Sequence, residues 1–283
     1  MGRVRMSRIG FQIACVSLSV LAAVCAAAQT GSAASAQPSL AFARAERLKR
    51  GINASEWFAQ VYDKRGYTPE HFQAWTTAED IARIKSMGFD HVRVTVNPLP
   101  MFNSREPNKI PAEYLASLDA AVKMVLDHGL AVVIALDPES DFKARLAKDD
   151  DFAERLADFW RALAGHYSTW DADRVFLEIL NEPEIEDRYR WLGVQMKLAA
   201  AIREGAPAHT IIAAGARWSN DDELIFQEPL RDPNVIYNFH FLRAAPLHAS
   251  GRDLGRVLLA LAAGREISVG SGAGGARGGA GAK

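Results

Sequence analysis

Short hydrophobic runs alternate with longer amphipathic runs along the middle of the chain. The short runs are rich in aliphatic and β-branched residues and predict strands at 50–52, 92–94, 131–136, 175–179, 211–214 and 236–239. The longer runs have helical spacing and predict helices at 78–87, 114–128, 152–166, 190–204 and near 223–226. Gly88 and Gly129 stand where helix C-caps are expected. Alternation of this kind predicts right-handed βαβ units and a parallel sheet.

Polar and aromatic residues at the strand ends distinguish between two architectures. Six units fit a doubly wound sheet, and they also fit an incomplete eight-unit barrel. A polar or aromatic residue stands in or after each predicted strand, namely Asn53, Arg93, Asp137, Asn181 with Glu182, Trp218 and His240. Catalytic groups of barrels lie at such positions, whereas no Gly-rich dinucleotide fingerprint follows the first strand. The sequence therefore predicts an α/β fold, an incomplete (β/α)₈ TIM barrel of about six βα units.

Composition narrows the classes of partner and cofactor. The 283 residues are 49% hydrophobic and 24% charged with a net charge of -1, as in an ordinary globular protein with no electrostatic preference for nucleic acid. Both cysteines, Cys15 and Cys25, lie near the N-terminus. We therefore expect no disulfide and no cysteine-based metal site in the mature chain.

The N-terminal segment resembles a signal peptide. Arg3, Arg5 and Arg8 precede an apolar run from 11 to 28, and small residues end it before Gln29. We expect cleavage after Ala28, secretion or periplasmic localisation, and no stable membrane insertion afterwards. A retained membrane anchor is the competing interpretation, and lipidation at Cys25 is a further one, although Val24 suits it poorly.

Five motifs follow one another through the predicted barrel. They are Arg50-Gly51-Ile52-Asn53, His91-Val92-Arg93-Val94, the run 176–183 that ends in Asn181-Glu182-Pro183, the run 214–219 that contains Trp218, and Tyr237-Asn238-Phe239-His240. In order and spacing they resemble glycoside hydrolase family 5, the cellulase family, over roughly residues 45–241. Asn-Glu-Pro alone would be a weak signal, whereas the ordered set is specific.

The resemblance implies a role for each matching residue. Glu182 matches the catalytic acid/base, and Asn181 matches the residue that binds the sugar 2-hydroxyl. Arg93 matches an arginine that keeps the nucleophilic carboxylate ionised. His240 matches the substrate-side histidine of the sixth strand. Trp218 matches a region that can stack on a sugar ring, with a core position as the alternative.

Two further positions bear on the substrate. Asn53 and Asp137 are additional substrate-binding candidates, whereas Glu178 is expected to be structural. Many relatives carry a histidine at the end of the third strand, where this chain has Leu136-Asp137-Pro138. The sequence therefore leaves the exact glycan open.

The second carboxylate of a retaining mechanism has no clear match. In the family it is a Glu on the seventh strand, and the one Glu after His240 is Glu266, whose surroundings lack the family pattern. If one base is dropped in the codon of Leu242, permissible codons for 242–267 can give F-Y-E-P-H-L-F-T-H-Q-G-A-T-W-G after Phe239-His240, as in a family sixth strand and the following loop. We therefore expect a frameshifted, C-terminally truncated copy without its last two strands. A natural, diverged C-terminus is the alternative.

The sequence predicts that the chain is organised in four segments. It comprises a signal peptide at 1–28, a flexible lead-in at 29–45, a partial catalytic barrel at 46–241 and an aberrant, largely disordered tail at 242–283. The resemblance implies a monomeric retaining glycosidase, cellulase- or β-glucanase-like, acting on a β-linked polysaccharide or oligosaccharide without metal or organic cofactor. This copy is expected to be inactive because the nucleophile is missing. A non-catalytic β-glycan-binding barrel and a barrel hydrolase acting on non-sugar substrates are the alternatives.

Overall fold

The computed structural model describes residues 39–241. The predicted signal peptide, most of the lead-in and the predicted C-terminal tail lie outside the described residues. The chain divides into two compact units, Met1–Phe239 and His240–Lys283. The described part of the second unit consists of His240 and Phe241.

Strands and helices alternate along the described residues, and all six predicted strands are present. The strands are β1 (Gly51–Phe58), β2 (His91–Val96), β3 (Ala131–Leu136), β4 (Val175–Glu178), β5 (Thr210–Ala214) and β6 (Val235–Asn238). The α-helices are α1 (Leu40–Ala45), α2 (Pro69–Trp75), α3 (Ala78–Ser86), α4 (Ala112–Asp127), α5 (Ser140–Leu146), α6 (Asp150–Tyr167) and α7 (Arg188–Gly205). Two 3₁₀ helices, Arg217–Ser219 and Asp221–Phe226, lie between β5 and β6.

The strands form one parallel sheet in sequence order, from β1 at one edge to β6 at the other. Each strand pairs with the next after a helical crossover, as the βαβ prediction requires. The described sheet is open, with six of the strands of a (β/α)₈ barrel. The predicted α/β class and incomplete barrel are confirmed. Within residues 39–241, no helix combines the length and the apolar character needed to cross a membrane.

The sheet buries its two faces against different partners. Alternate residues such as Val92, Val94 and Leu177 join the main core, which also contains side chains of α4, α6 and α7. The residues between them face the opposite side, where a smaller apolar cluster is centred on Val133 and Phe176. Since each buried Val, Leu or Phe contributes roughly 1.5–3 kcal/mol, the helix-side core fixes the register of every strand.

Local signals set several helix ends. Thr77 and Asp80 form a capping box at the start of α3. The predicted C-cap glycines Gly88 and Gly129 have φ angles of 83° and 70°, which glycine adopts without steric cost.

Helix α1 was not expected, because residues 40–45 fall within the predicted flexible lead-in. Ser39 caps the helix by accepting a hydrogen bond from the Phe42 N–H. Arg44 is buried and donates to Asp173 Oδ1 at 2.9 Å and to Thr210 Oγ1 at 3.1 Å. These contacts tie the segment to β5, so the lead-in prediction is wrong for these residues.

Candidate active site

Four polar side chains share the inner face of the sheet. Asn53 pairs in register with Arg93, Glu178 with Ala135, and Asn238 with Ala214. The residues that flank Arg93 and Glu178 along their strands pack into the helix-side core, so by the two-residue period of a strand these two polar side chains face inwards. The strand register therefore brings together residues that are up to 185 positions apart in sequence.

Arg93 and Glu178 form a bidentate ion pair at the centre of this face. Arg93 Nε donates to Glu178 Oε2 and Nη2 donates to Oε1, both at 2.7 Å. Only 15% of the Arg93 side chain and 2% of the Glu178 side chain are exposed. Burial lowers the pKa of Arg93, but the charge and hydrogen bonds of Glu178, together with the charges of Asp137 and Glu182, outweigh burial and raise it. Asn238 Nδ2 adds a third donor to Glu178, at 3.0 Å from Oε1.

Asn181 is held in one amide orientation from two sides. Its Oδ1 accepts from Arg93 Nη2 at 2.8 Å, and its Nδ2 donates to Asp137 Oδ1 at 2.8 Å. Its backbone N–H donates to the Leu136 carbonyl at 2.7 Å. Arg93 also donates to Asn53 Oδ1 at 3.1 Å, so the predicted residues Asn53, Arg93, Asp137 and Asn181 form one hydrogen-bonded network.

Asp137 has a buried cation as its neighbour. Burial raises the pKa of Asp137, and the hydrogen bond from Asn181 and the charge of Lys143 partly oppose this effect. Lys143, on α5, is itself buried and lies 3.9 Å from Asp137 Oδ1 and 3.2 Å from Glu184 Oε1. Sequence reasoning missed Lys143 and Glu184. The signal for Glu184 was its place directly after the Asn-Glu-Pro motif.

Glu182 follows Asn181 at the carboxyl end of β4 in a left-handed backbone conformation, with φ of 43°. It lines a cavity of about 130 Å³ together with Asn181, Asp137 and Lys143. The left-handed non-glycine residues of the described chain lie in the irregular part of β1 or follow β1, β4 or β5, and they are Glu56, Gln60, Glu182, Arg217, Trp218 and Ser219. Such residues cost about 1–3 kcal/mol each and cluster at functional sites. The strain therefore points to the carboxyl ends of the strands as the functional face.

Trp218 lies in a strained turn that is bonded to the Asn181-Glu182-Pro183 loop. Its φ is 61°, and its N–H donates to the Pro183 carbonyl at 2.9 Å. Ser219 Oγ donates to the Asn238 carbonyl at 3.2 Å and so ties the same turn to β6. The Trp218 residue is 44% exposed. A core role is therefore excluded, and the ring offers an apolar surface to a ligand.

Comparison with known proteins supplies the family. The family described as Cellulase (glycosyl hydrolase family 5) matches residues 53–253. The chain belongs to glycoside hydrolase family 5. It is similar to Endoglucanase C of Acetivibrio thermocellus, with 28% identity over 200 residues, 69% of this chain and 57% of that protein. It is also similar to Cellodextrinase A of Ruminococcus flavefaciens, with 26% identity over 199 residues, 68% of this chain and 57% of that protein.

A solved family 5 structure is similar in fold. Endoglucanase Cel5A from Thermotoga maritima matches with a TM-score of 0.62 and 25% identity, over 76% of this chain and 69% of that chain. The same enzyme has been solved in complex with cellobiose, with a TM-score of 0.63 to this chain. The chain spans about 57% of the length of the two curated relatives named above.

The predicted roles of His240 and of a second carboxylate are separate questions. His240 begins the second compact unit, directly after Phe239, and its role in a family 5 site remains a prediction. Among the described residues, the carboxylate that accepts hydrogen bonds from Arg93 is Glu178. In residues 39–241, no group of three or more His, Cys, Asp or Glu side chains is arranged to hold a metal ion. Glu178 was expected to be structural, and its position shows how it serves the site, because it orients Arg93, which in turn orients Asn181.

Proposed function

We propose that this family 5 barrel is built for the hydrolysis of O-glycosyl bonds in a β-1,4-glucan, with Glu182 as acid/base of a retaining mechanism. The observation that carries the proposal is the placement of Glu182 beside an Asn181 amide that Arg93 and Asp137 hold in one orientation. The similar curated proteins named endoglucanase, and Cel5A bound to cellobiose, support the substrate class.

We propose a task for each of three groups. The exposed Trp218 ring stacks against one sugar face. Asn181 Nδ2 carries two hydrogens, and the one that is not donated to Asp137 is free for a sugar hydroxyl. Glu182 protonates the departing glycosidic oxygen and later takes a proton from the attacking water.

Retention also needs a nucleophilic carboxylate roughly 5 Å from the acid/base. We propose that neither Glu178 nor Asp137 serves as that nucleophile. Only 2% of the Glu178 side chain and 8% of the Asp137 side chain are exposed, so neither carboxylate can reach an anomeric carbon without disrupting the network that holds it. The chain as printed would then bind a β-glucan without hydrolysing it. This is the non-catalytic alternative, and the exposed Trp218 favours retained binding.

The experiment compares the printed chain with a variant whose reading frame is restored after Phe241. Reducing-sugar release from a soluble β-1,4-glucan is expected only from the restored chain, and Glu182→Gln should lower its rate by about 10²–10⁴-fold. Glu79→Gln, an exposed glutamate on α3, is the matched control and should retain the rate. Calorimetry with cellotetraose should detect binding by both chains.

Two outcomes contradict the proposal in different ways. Turnover by the printed chain that Glu182→Gln abolishes would mean that this chain does supply a nucleophile. Turnover that survives Glu182→Gln in either chain would place the chemistry on another residue.

A further inference from the structure

A cleft of about 450 Å³ lies between the loop that follows β2 and the starts of α5 and α6. Glu139 lines both this cleft and the cavity beside Glu182, so the two spaces meet at the loop that follows β3. The Glu182 cavity, at about 130 Å³, is smaller than the roughly 300–1,000 Å³ typical of ligand sites, whereas the cleft falls within that range. A glycan held beside Glu182 must extend out of that cavity, and the cleft offers adjoining space.

The apolar wall of the cleft is held in place by its surroundings. Leu99 is 53% exposed, and its backbone N–H donates to Asn97 Oδ1 at 3.0 Å. Phe102 is partly buried and packs edge-on against three other phenylalanine rings, with ring centres 5.6 to 5.7 Å away. Two of those rings, Phe142 and Phe152, are themselves buried at the back of the cleft. Leu99 and Phe102 therefore present a preformed apolar surface to a ligand.

Two carboxylates without partners face the same space. Glu139 and Asp141 line the cleft and are exposed, and neither side chain forms a hydrogen bond or an ion pair with any residue in 39–241. Ser104 also lines the cleft, and its hydroxyl forms no hydrogen bond within the same range. A carboxylate accepts hydrogen bonds, and a hydroxyl both donates and accepts. These groups can therefore bind the hydroxyls of a ligand.

Arg145 adds donors to the lining. Its guanidinium carbon lies 4.2 Å from the Phe152 ring centre, and its Nε donates to Asp149 Oδ2 at 3.0 Å. The Arg145 side chain is 53% exposed, so its remaining N–H groups are accessible to ligand oxygens. Accessible donors, accessible acceptors and an apolar wall together match a sugar ring, whose hydroxyls do both and whose C–H groups form apolar faces. An ammonium ligand would be attracted by the carboxylates but repelled by Arg145.

We propose that this cleft binds a further glucosyl unit of the same β-1,4-glucan chain that passes Glu182. Hydroxyls of that unit donate to Glu139 and Asp141. One face of its ring packs on Leu99 and Phe102. The inference rests on the proposed function, because it extends the same glucan site across the loops that follow β3 and β2. It makes the affinity of the chain for a glucan depend on the length of that glucan.

The test compares cellobiose and cellotetraose by isothermal titration calorimetry with the full printed chain. Wild type is expected to bind cellotetraose about tenfold or more tightly than cellobiose, because the longer ligand reaches the cleft. Leu99→Asp should weaken cellotetraose binding about tenfold and leave cellobiose binding unchanged, because it removes part of the apolar wall. Leu40→Asp is the matched control, since Leu40 on α1 is 51% exposed and lies outside the cleft lining. It should bind both ligands as wild type does.

A second variant tests the carboxylates and keeps the proposal testable if Leu99→Asp does not fold. Asp141→Asn should weaken cellotetraose binding about threefold or more, because hydrogen bonds to a charged acceptor are stronger than those to a neutral one. Glu79→Gln, which changes an exposed carboxylate in the first turn of α3, is its control and should have no effect. Circular dichroism establishes that each variant is folded.

The outcomes separate this inference from the proposed function. Cellobiose binding without tighter binding of cellotetraose, or an unchanged preference in folded Leu99→Asp, would overturn the cleft as a subsite and leave the proposed function intact. No binding of either ligand would overturn both. Equal weakening of both ligands by Leu99→Asp would overturn the continuous path. Tighter binding of a β-1,4-glucosamine tetramer than of cellotetraose would overturn the inference in favour of a cationic ligand.

Discussion

Removing Glu178 tests whether the Arg93–Glu178 pair holds the inner face together. Glu178→Leu leaves a nearly buried guanidinium without its carboxylate, and it also leaves Asn238 Nδ2 without an acceptor. Breaking a buried pair from one side costs about 3–5 kcal/mol. A typical domain has a total stability of only about 5–15 kcal/mol. In a domain of 150–250 residues, about 2–4 °C is lost per kcal/mol, so the melting temperature should fall by roughly 6–20 °C.

The assay is thermal unfolding followed by circular dichroism, with an exposed ion pair as the control. Lys123 and Asp127 form an i,i+4 pair on α4 at 2.7 Å, and both side chains are more than half exposed. Asp127→Asn should therefore cost only about 0.3–0.5 kcal/mol, or about 1–2 °C. Arg93→Met combined with Glu178→Leu should recover most of the loss, because no buried charge is then left unpaired. A Glu178→Leu chain that melts within 2 °C of Asp127→Asn would refute this reasoning.

Four other predictions address separate parts of the chain. Burial, with Arg44 and Arg203 nearby, lowers the pKa of His209 from 6.5 to about 4. The unfolded chain therefore binds the extra proton first, so stability should fall as the pH drops from 6.5 to 4, and His209→Leu should flatten that slope in urea titrations. When the printed chain is given azide and an aryl β-cellobioside, azide should attack the anomeric carbon as the aryl oxide leaves, and the product should be the inverted α-glycosyl azide. Detection of the β-glycosyl azide would instead indicate that the chain contains its own nucleophile. Sequencing the DNA across codons 241–243 should reveal an extra base, and stop codons in the corrected frame before a seventh strand would eliminate the frameshift. N-terminal sequencing of the exported protein should begin at Gln29, whereas a start at Met1 would remove the secretion proposal.

The hydrophobic pattern predicted the strands well and the short helices poorly. Strands β2 to β6 differ from their predicted ranges by at most two residues at either end, and β3 matches at both ends, because two-residue alternation and flanking glycines are local signals. Helices α2 and α5 have seven residues each, which is too short for helical periodicity to stand out. Strand β1 extends to Phe58, well past its predicted end, through an irregular stretch where pairing resumes only at Phe58.

The sequence named four residues of the hydrogen-bonded network but not the contacts between them. Asn53, Arg93, Asp137 and Asn181 were identified from their places at strand ends, and the structure joins them in one network. The partner of Arg93 could not be predicted, because Glu178 is 85 residues away and meets it only through the register of three strands. The sequence does show a carboxylate between two apolar residues of a strand. Because a buried carboxylate needs a partner, this pattern indicated that Glu178 would pair with a cation but did not indicate which one.

The departure from the family pattern at Asp137 has its own structural consequence. The family resemblance leads to the expectation of a histidine at this position, and a neutral imidazole can either donate or accept a hydrogen bond. An ionised carboxylate only accepts, so Asp137 fixes Asn181 with Nδ2 towards β3 and Oδ1 towards Arg93. Burial makes that charge costly, and Lys143 offsets part of the cost from α5. Lys143→Met should therefore raise the pKa of Asp137 further. Protonated Asp137 can donate as well as accept, which would leave the orientation of Asn181 to Arg93 alone, so the substitution should weaken sugar binding at low pH more than at neutral pH.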